Sequence, residues 1–358
     1  MADSRSVHYP GSLTDVGAIK VGHFSRTGKG YLTGTTVVLT GQGAVAGVDV
    51  RGGGPGTRET DVLRPENLVQ RVHGIVLTGG SAYGLGAAQG VMDELEHQHI
   101  GYPVGDSPQW VVPIVPAAVI FDLGRGGNFS MRPDSSFGRR AAKRATSQTD
   151  HMGTVGAGVG ARSGGIRGGL GMASMTFSDG VIISALAVVN SIGSVINPET
   201  ALPWDLNQGR LQKPSAVDRR RLNNYLSSLL QGSKKLESPS LNTTIGVVAT
   251  NQSLTKSECK KFASVAHDGL ARAIRPAHLM NDGDTIFGVS VAQEDLTLQA
   301  QEAAFIDPHG RPAFLNAILA AGAQVFSRAC TEAVLTATST KTLPCYRELC
   351  PSAFRDMP

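Results

Sequence analysis

The chain has 358 residues, 41% of them hydrophobic and 17% charged, which is enough to bury a sizeable core and too apolar for a disordered chain. The net charge of +4 is mild, and the basic clusters Arg139/Arg140/Lys143/Arg144, Arg219/Arg220/Arg221 and Lys234/Lys235 lack interleaved aromatics, so they read as solvated faces and argue against a nucleic-acid partner. Glycine is the outlier: 44 residues, or about 12% against a usual ~7%, which marks tight turns and close backbone approaches.

Residues 1–12 read as a loose leader with no apolar h-region, and residues 13–358 as one catalytic domain. No apolar stretch reaches the ~18 residues of a membrane span, so a cytoplasmic protein with no membrane partner is expected. The runs Ala18–His23, Thr35–Thr40 and Ala44–Val48, separated by turn signals, predict antiparallel strands. Asp49–Asp61 is a loop by composition. Gly74–Thr78 is a buried strand running into Gly79-Gly80-Ser81-Ala82-Tyr83-Gly84, with a helix continuing to about His97. Ile114–Phe121 is a further strand. After the glycine-dense stretch Gly153–Gly171 come strands Ala173–Phe177 and Val181–Val189, the second closed by Asn190. Residues 198–241 are polar, with prolines at 198, 203, 214 and 239 and one weak helix near Asp218–Leu230, a long low-order excursion. A strand then runs to Ala249. A helix over about Thr255–Ile274 carries Cys259, Phe262, Ala263, Ala266 and Leu270 on one face. Asp282-Gly283-Asp284-Thr285, a strand Ile286–Val291 and a helix from about Arg311 to Thr336 complete the chain. Elements alternating in blocks of two suggest layered α/β (α+β) packing.

Thr243 stands where a cut would expose it, at the mouth of the apolar run that starts at Ile245 and directly after the low-order segment. Its hydroxyl can attack the Asn242 carbonyl to form an ester that water opens, leaving Thr243 as a new N-terminus. The α-amine, with a reference pKa of roughly 7.7–8.0, then serves as base for its own hydroxyl. The same Asn-Thr-Thr is also a glycosylation sequon, and threonine is common at strand starts. Gly79–Gly84 departs from a nucleophile elbow because Tyr83 stands where the second glycine belongs. Ser81 is thus a weak nucleophile candidate, while Tyr83 is placed as a hydroxyl donor to an oxyanion or as a packed aromatic. Asp282 and Asp284 form a turn, or a carboxylate pair that supports Thr243 and perturbs its own titration. Asn190 donates to an oxyanion or caps a turn. Arg167, among glycines, pairs with Asp282 or Asp284 or points to solvent. Phosphate-loop and dinucleotide fingerprints are missing, as are HExxH or matched Cys/His spacings, so no metal or organic cofactor is expected. The four cysteines form no CxxC pair; a Cys345–Cys350 cross-link is open, with free thiols the default.

Together these pieces resemble the P1-type self-processing peptidases, peptidase family S58, which includes L-aminopeptidase/D-esterase, β-peptidyl aminopeptidases and nylon-oligomer hydrolase. The matching text is Arg51–Asp61, Gly79–Leu85, Val112–Asp122, Val155–Ser174, Asn242–Ile245 and Asp282–Thr285. The resemblance implies a four-layer αββα sandwich similar to N-terminal-nucleophile hydrolases. It implies scission between Asn242 and Thr243 into residues 1–242, with a flexible 198–241 tail, and 243–358. Carried over by motif, Thr243 is the nucleophile, Tyr83 and Asn190 hold the oxyanion, and Asp282 and Asp284 are the supporting acids. Arg167 stands where close relatives have Lys, which keeps the charge without the proton-donating ability. Glu59 is a speculative contact for the substrate amine, or a salt-bridge partner of Arg51 or Arg58.

The expected function is therefore a Thr-nucleophile amidohydrolase, an aminopeptidase acting on peptides or amides and assembled as a homo-oligomer of processed protomers. The rivals are an acyltransferase resembling the ornithine acetyltransferases and a non-catalytic binding protein on the same scaffold.

Overall fold

The computed structural model describes residues 11–205, 210–232, 241–292 and 310–355. Its centre is a nine-stranded sheet among the described residues. The strands are β1 (Lys20–Gly28), β2 (Tyr31–Val50), β3 (Thr57–Arg58), β4 (Arg71–Thr78), β5 (Ala117–Val119), β6 (Gly169–Thr176), β7 (Ile182–Asn190), β8 (Thr243–Thr250) and β9 (Thr285–Ser290). Their order is β6-β7-β8-β9-β2-β4-β5-β3, with β1 also on β2. All pairs are antiparallel except β8 with β9 and β4 with β5.

β2 unites two stretches expected to be separate strands. The chain runs through Gly41-Gln42-Gly43 with positive φ at both glycines, and the register against β4 shifts between Leu39 and Ala44. That is a bulge where a turn was expected, and a bulge bends the strand that carries it. The first half of β2 pairs with β1 and the second half with β9. β2 thereby belongs to both halves of the sheet, and the halves face one another.

Side-chain alternation makes the layers. Ile245, Val247 and Ala249 of β8, Leu186 and Val188 of β7, and Phe287 and Val289 of β9 share a core with Val38 of β2, Ile75 and Leu77 of β4, and Ala118 of β5. The opposite face of β6–β8 packs under α4 (Lys256–Ala273) and α5 (Arg311–Leu335), through Ala185, Ala187, Val248, Phe262, Phe326 and Ala329. The opposite face of β1, β2 and β4 packs under α1 (Ala87–His97) and α2 (Ser135–Lys143), through Phe24, Val37, Val76, Val91 and Phe137. Three cores between helix, sheet, sheet and helix make the expected αββα sandwich. Each fully buried Leu, Ile, Val or Phe in them contributes about 1.5–3 kcal/mol.

Several expectations change. Helix α2 was not foreseen; Asp134 caps it by accepting the Ser136 N–H at 3.0 Å. The strand expected over Ile114–Phe121 shrinks to β5. The weak helix expected near Asp218–Leu230 is the 17-residue helix α3 (Ala216–Gly232), docked where low order was expected, while residues 206–209 and 233–240 of the segment lie outside the described residues. That helix is tied down by Asp218 to Ser352 and by the Tyr225 hydroxyl, which donates to the Gly165 carbonyl at 3.2 Å. Helix α5 is long and apolar enough to cross a membrane by length and composition, contrary to the expectation that no segment is. Here it is a core helix, with Ile318, Phe326, Ala329, Cys330 and Ala333 buried. Residues 1–10 of the expected leader lie outside the described residues.

Candidate active site

Three strand ends converge on Thr243. It opens β8, it faces Asn190 at the end of antiparallel β7, and β9 starts at Thr285 just beyond the Asp282–Asp284 turn. A parallel bridge joins Asn242 to Asp282. The Asn242 N–H donates to the Asn281 carbonyl and the Gly283 N–H donates to the Asn242 carbonyl, both at 3.0 Å. With the Asn242–Thr243 peptide intact, the Thr243 hydroxyl also donates to that carbonyl, at 2.5 Å. Asn242 and Thr243 are both buried. Gly283 is required by the close approach: a Cβ there would lie 2.8 Å from the Thr243 Oγ1 and 2.8 Å from the Gly54 carbonyl oxygen.

The acid pair lies beside this peptide without touching the Thr243 hydroxyl. Asp284 accepts the Thr244 N–H at 2.7 Å through Oδ1, and its Oδ2 meets the His278 N–H at 3.2 Å and the His278 Nδ1 at 2.8 Å. Asp282 accepts the Leu279 N–H at 2.8 Å through Oδ2, while its buried Oδ1 has no partner. Burial pushes the Asp282 carboxyl up, against the Leu279 N–H, and the neighbouring Asp284 adds to the rise. His278 was passed over in the sequence; six residues and a turn separate it from Asp284, and only the fold of that turn shows the contact.

Asn190 is buried and its amide is engaged. Its Oδ1 accepts from Arg125 Nη1 and from the Arg162 N–H, both at 3.1 Å, and its Nδ2 donates to the Phe121 carbonyl at 3.3 Å. Arg125 is the main residue that sequence reasoning missed. Its Nη1 donates to the Asn242 Oδ1 at 3.2 Å and its Nη2 to the Leu241 carbonyl at 2.5 Å. Burial, and then Arg162, hold its guanidinium down to about 10. The signal was present, since Arg125 sits in Gly124-Arg125-Gly126-Gly127 just as Arg167 sits among glycines.

Arg167 itself corrects both of its readings. It is 1% exposed, so it does not point to solvent, and its Nη2 donates to the Val159 carbonyl at 2.5 Å rather than to Asp282 or Asp284. Tyr83 is exposed, and Arg132 lies 3.5 Å over its ring. The structure does not bring its hydroxyl into hydrogen-bond contact with Thr243 or Asn190. The turn that carries it is anchored by Asp122, which accepts the Gly80 N–H at 2.7 Å and the Thr33 hydroxyl at 2.6 Å. Burial pushes the Asp122 carboxyl up to about 6 despite both donors. Glu59 pairs with neither Arg51 nor Arg58; it accepts the Val115 N–H at 3.2 Å. Arg51 instead bonds Asp49, Asp268 and Ser264.

The arrangement suits attack on a carbonyl. A hydroxyl sits at the Asn242 carbonyl, a backbone N–H polarises the same oxygen, and the flanking amides are pinned by a carboxylate and a guanidinium.

Comparison with known proteins agrees with this chemistry. The family model for peptidase family S58 matches residues 11–344. The chain is 44% identical over 354 residues to a protein of Mycobacterium tuberculosis described as an uncharacterized aminopeptidase, covering 96% of this chain and 99% of that one. It is 29% identical over 270 residues to the 6-aminohexanoate-oligomer endohydrolase of Paenarthrobacter ureafaciens, covering 74% and 71%. The L-aminopeptidase D-Ala-esterase/amidase of Ochrobactrum anthropi, described as a variant of the Ntn-hydrolase fold, superposes with a TM-score of 0.64 at 20% identity, covering 91% and 86%. A Burkholderia sp. beta-aminopeptidase gives a TM-score of 0.62 at 21% identity, with the same coverages. The chain belongs to peptidase family S58 and is a hydrolase of peptide or amide bonds.

Proposed function

We propose that the protein cuts its own Asn242–Thr243 bond and then works as an aminopeptidase with Thr243 as N-terminal nucleophile. The observation that carries this reading is the double hydrogen bond on the Asn242 carbonyl, from the Thr243 hydroxyl at 2.5 Å and the Gly283 N–H at 3.0 Å. In the first reaction the Thr243 Oγ adds to the Asn242 carbonyl carbon and its proton passes to the Thr243 nitrogen as the C–N bond breaks. Water hydrolyses the resulting ester, leaving an Asn242 carboxylate and a free Thr243 amine. In the second reaction that amine accepts the hydroxyl proton as Oγ attacks the substrate carbonyl, and returns it to the departing amine. A second water releases the acyl residue.

The aminopeptidase relative at 44% identity and the family support a peptide or amide with a free N-terminus as the substrate class. The carboxylates on the Asn281–Asp284 side give that amine a compatible environment. A homo-oligomer of processed protomers belongs to the same proposal, because the strands that end the sheet, β6 and β3, leave edges that need cover.

Intact-mass spectrometry of wild type beside Thr243→Ala tests the nucleophile. Fragments ending at Asn242 and starting at Thr243, with an uncut variant, are expected. A wild type that stays whole, or a variant that still cuts there, sinks the reading.

A further inference from the structure

With the scissile peptide in place, Asn242 occupies the position of the acyl residue, because its carbonyl lies under the Thr243 hydroxyl. Its surroundings therefore describe what an acyl residue meets. The main-chain N–H points to the Asn281 carbonyl, on the side of Asp282 and Asp284. The side-chain Oδ1 points the other way, to Arg125 Nη1 at 3.2 Å.

Positive charge accumulates behind Arg125. Arg162 reaches the same Asn190 Oδ1 through its backbone N–H. Arg162 and Arg167 are directly paired across the short hairpin Arg162–Ser163/Ile166–Arg167. Among the described residues neither Arg162 nor Arg167 forms an ion pair with a carboxylate, and the Nε of each is buried without a hydrogen-bond partner. Asp122 acts electrostatically on Arg125 and offsets part of that charge. The charge of Arg162 and Arg167, which no carboxylate among the described residues pairs, favours an anion over a neutral acceptor at low exposure.

We propose that the acyl subsite selects substrates whose N-terminal residue carries an acidic or acceptor side chain, aspartyl first and asparaginyl second, with Arg125 as the direct contact and Arg162 as the supporting charge. An aspartyl residue differs from the resident Asn242 by one carboxylate oxygen in place of an amide nitrogen, so it fits the same space while completing the charge. Its ammonium faces the acid side and its carboxylate the arginine side. A lysyl residue is excluded by the same field. This proposal rests on the aminopeptidase reading above.

The test uses the processed protein, checked by intact mass, against the p-nitroanilides of Asp, Asn, Leu and Lys. The aspartyl substrate is expected to exceed leucyl at least tenfold in kcat/KM, with lysyl lowest. Adding 0.5 M NaCl is expected to lower aspartyl turnover and spare leucyl. Arg162→Met, whose lost guanidinium bonds no protein group among the described residues, is expected to cut the Asp:Leu ratio several-fold through KM, and Arg125→Met to cut it further. Leucyl turnover equal to or above aspartyl, or a ratio indifferent to salt and to Arg162→Met, overturns the subsite while leaving the aminopeptidase standing. No turnover of any of the four by cleaved protein overturns both.

Discussion

Gly283 shows how finely the site is set at the scale of one residue. It donates to the Asn242 carbonyl and has no room for a Cβ against the Thr243 hydroxyl. Gly283→Ala must therefore displace either the hydroxyl or the Asp282–Asp284 turn. Self-cleavage slowed by tenfold or more is expected, read as the fraction of intact chain against time; cleavage at the wild-type rate would show that the donor geometry is immaterial. The same scale explains which candidates sequence reading located. Thr243, Asn242, Asn190, Asp282 and Asp284 are adjacent to strand ends, and strand ends are legible from apolar runs. Arg125 and Arg167 both sit among glycines, and nothing local says that one reaches Asn242 while the other is buried against Val159.

At the scale of elements, Glu258 joins two helices. It closes a capping box with Thr255 at the start of α4 and holds Arg311 at the start of α5, at 3.0 and 2.6 Å. Burial tends to raise its carboxyl, but the Arg311 bonds and the Thr255 N–H outweigh this and leave it below the usual carboxylate range. Glu258→Ala removes the reciprocal cap and leaves Arg311 half-buried without its partner, a destabilisation of roughly 2–4 kcal/mol. Urea unfolding measures it, and a loss under 0.5 kcal/mol would contradict the bridge. The Thr255–Ile274 helix was foreseen because its 3.6-residue apolar stripe is local. Helix α2 was missed because Ser135–Lys143 is short and basic, although Phe137, Gly138, Ala141 and Ala142 recur at helical spacing and line one buried face against α1 and β1.

Across the whole molecule, buried ionisable groups set the response to acid. Burial lowers His23, His73 and His267 to about 4. Their folded pKa lies below the unfolded value near 6.5, so the unfolded chain takes up protons first and stability is lost as pH falls from about 6.5 towards 4. Asp122 acts in the opposite sense. Its folded pKa of about 6 lies above an unfolded value near 3.9, so the folded state binds the proton first and gains stability on acidification through that window. Asp282, also pushed up by burial, acts in the same sense as Asp122, and the three histidines against these two carboxyls predict a lower urea midpoint at pH 5 than at pH 7. Asp122→Asn should steepen that fall by about 1 kcal/mol, since its offset is gone. A wild type equally stable at both values, or an unchanged slope in the variant, would contradict this balance.

The amino-acid sequence by itself determined the layered class of the fold, most of its strands, the helices with a full apolar stripe, and the peptide at which the Thr243 hydroxyl meets the Asn242 carbonyl. These follow from local periodicity, turn chemistry and a nucleophile beside a strand mouth. Only the tertiary structure decided that β2 runs unbroken through its bulge and joins the two halves of the sheet, since a bulge and a turn share the same glycines. It also decided that residues 216–232 are a docked helix, that Asp284 answers to His278, and that Arg125 rather than Arg167 reaches Asn242. The Asp284–His278 contact spans six residues but needs the exact fold of its turn, and the others depend on which distant backbone a segment packs against; partners such as Arg125 and Asn242, 117 residues apart, leave no periodic trace in the chain.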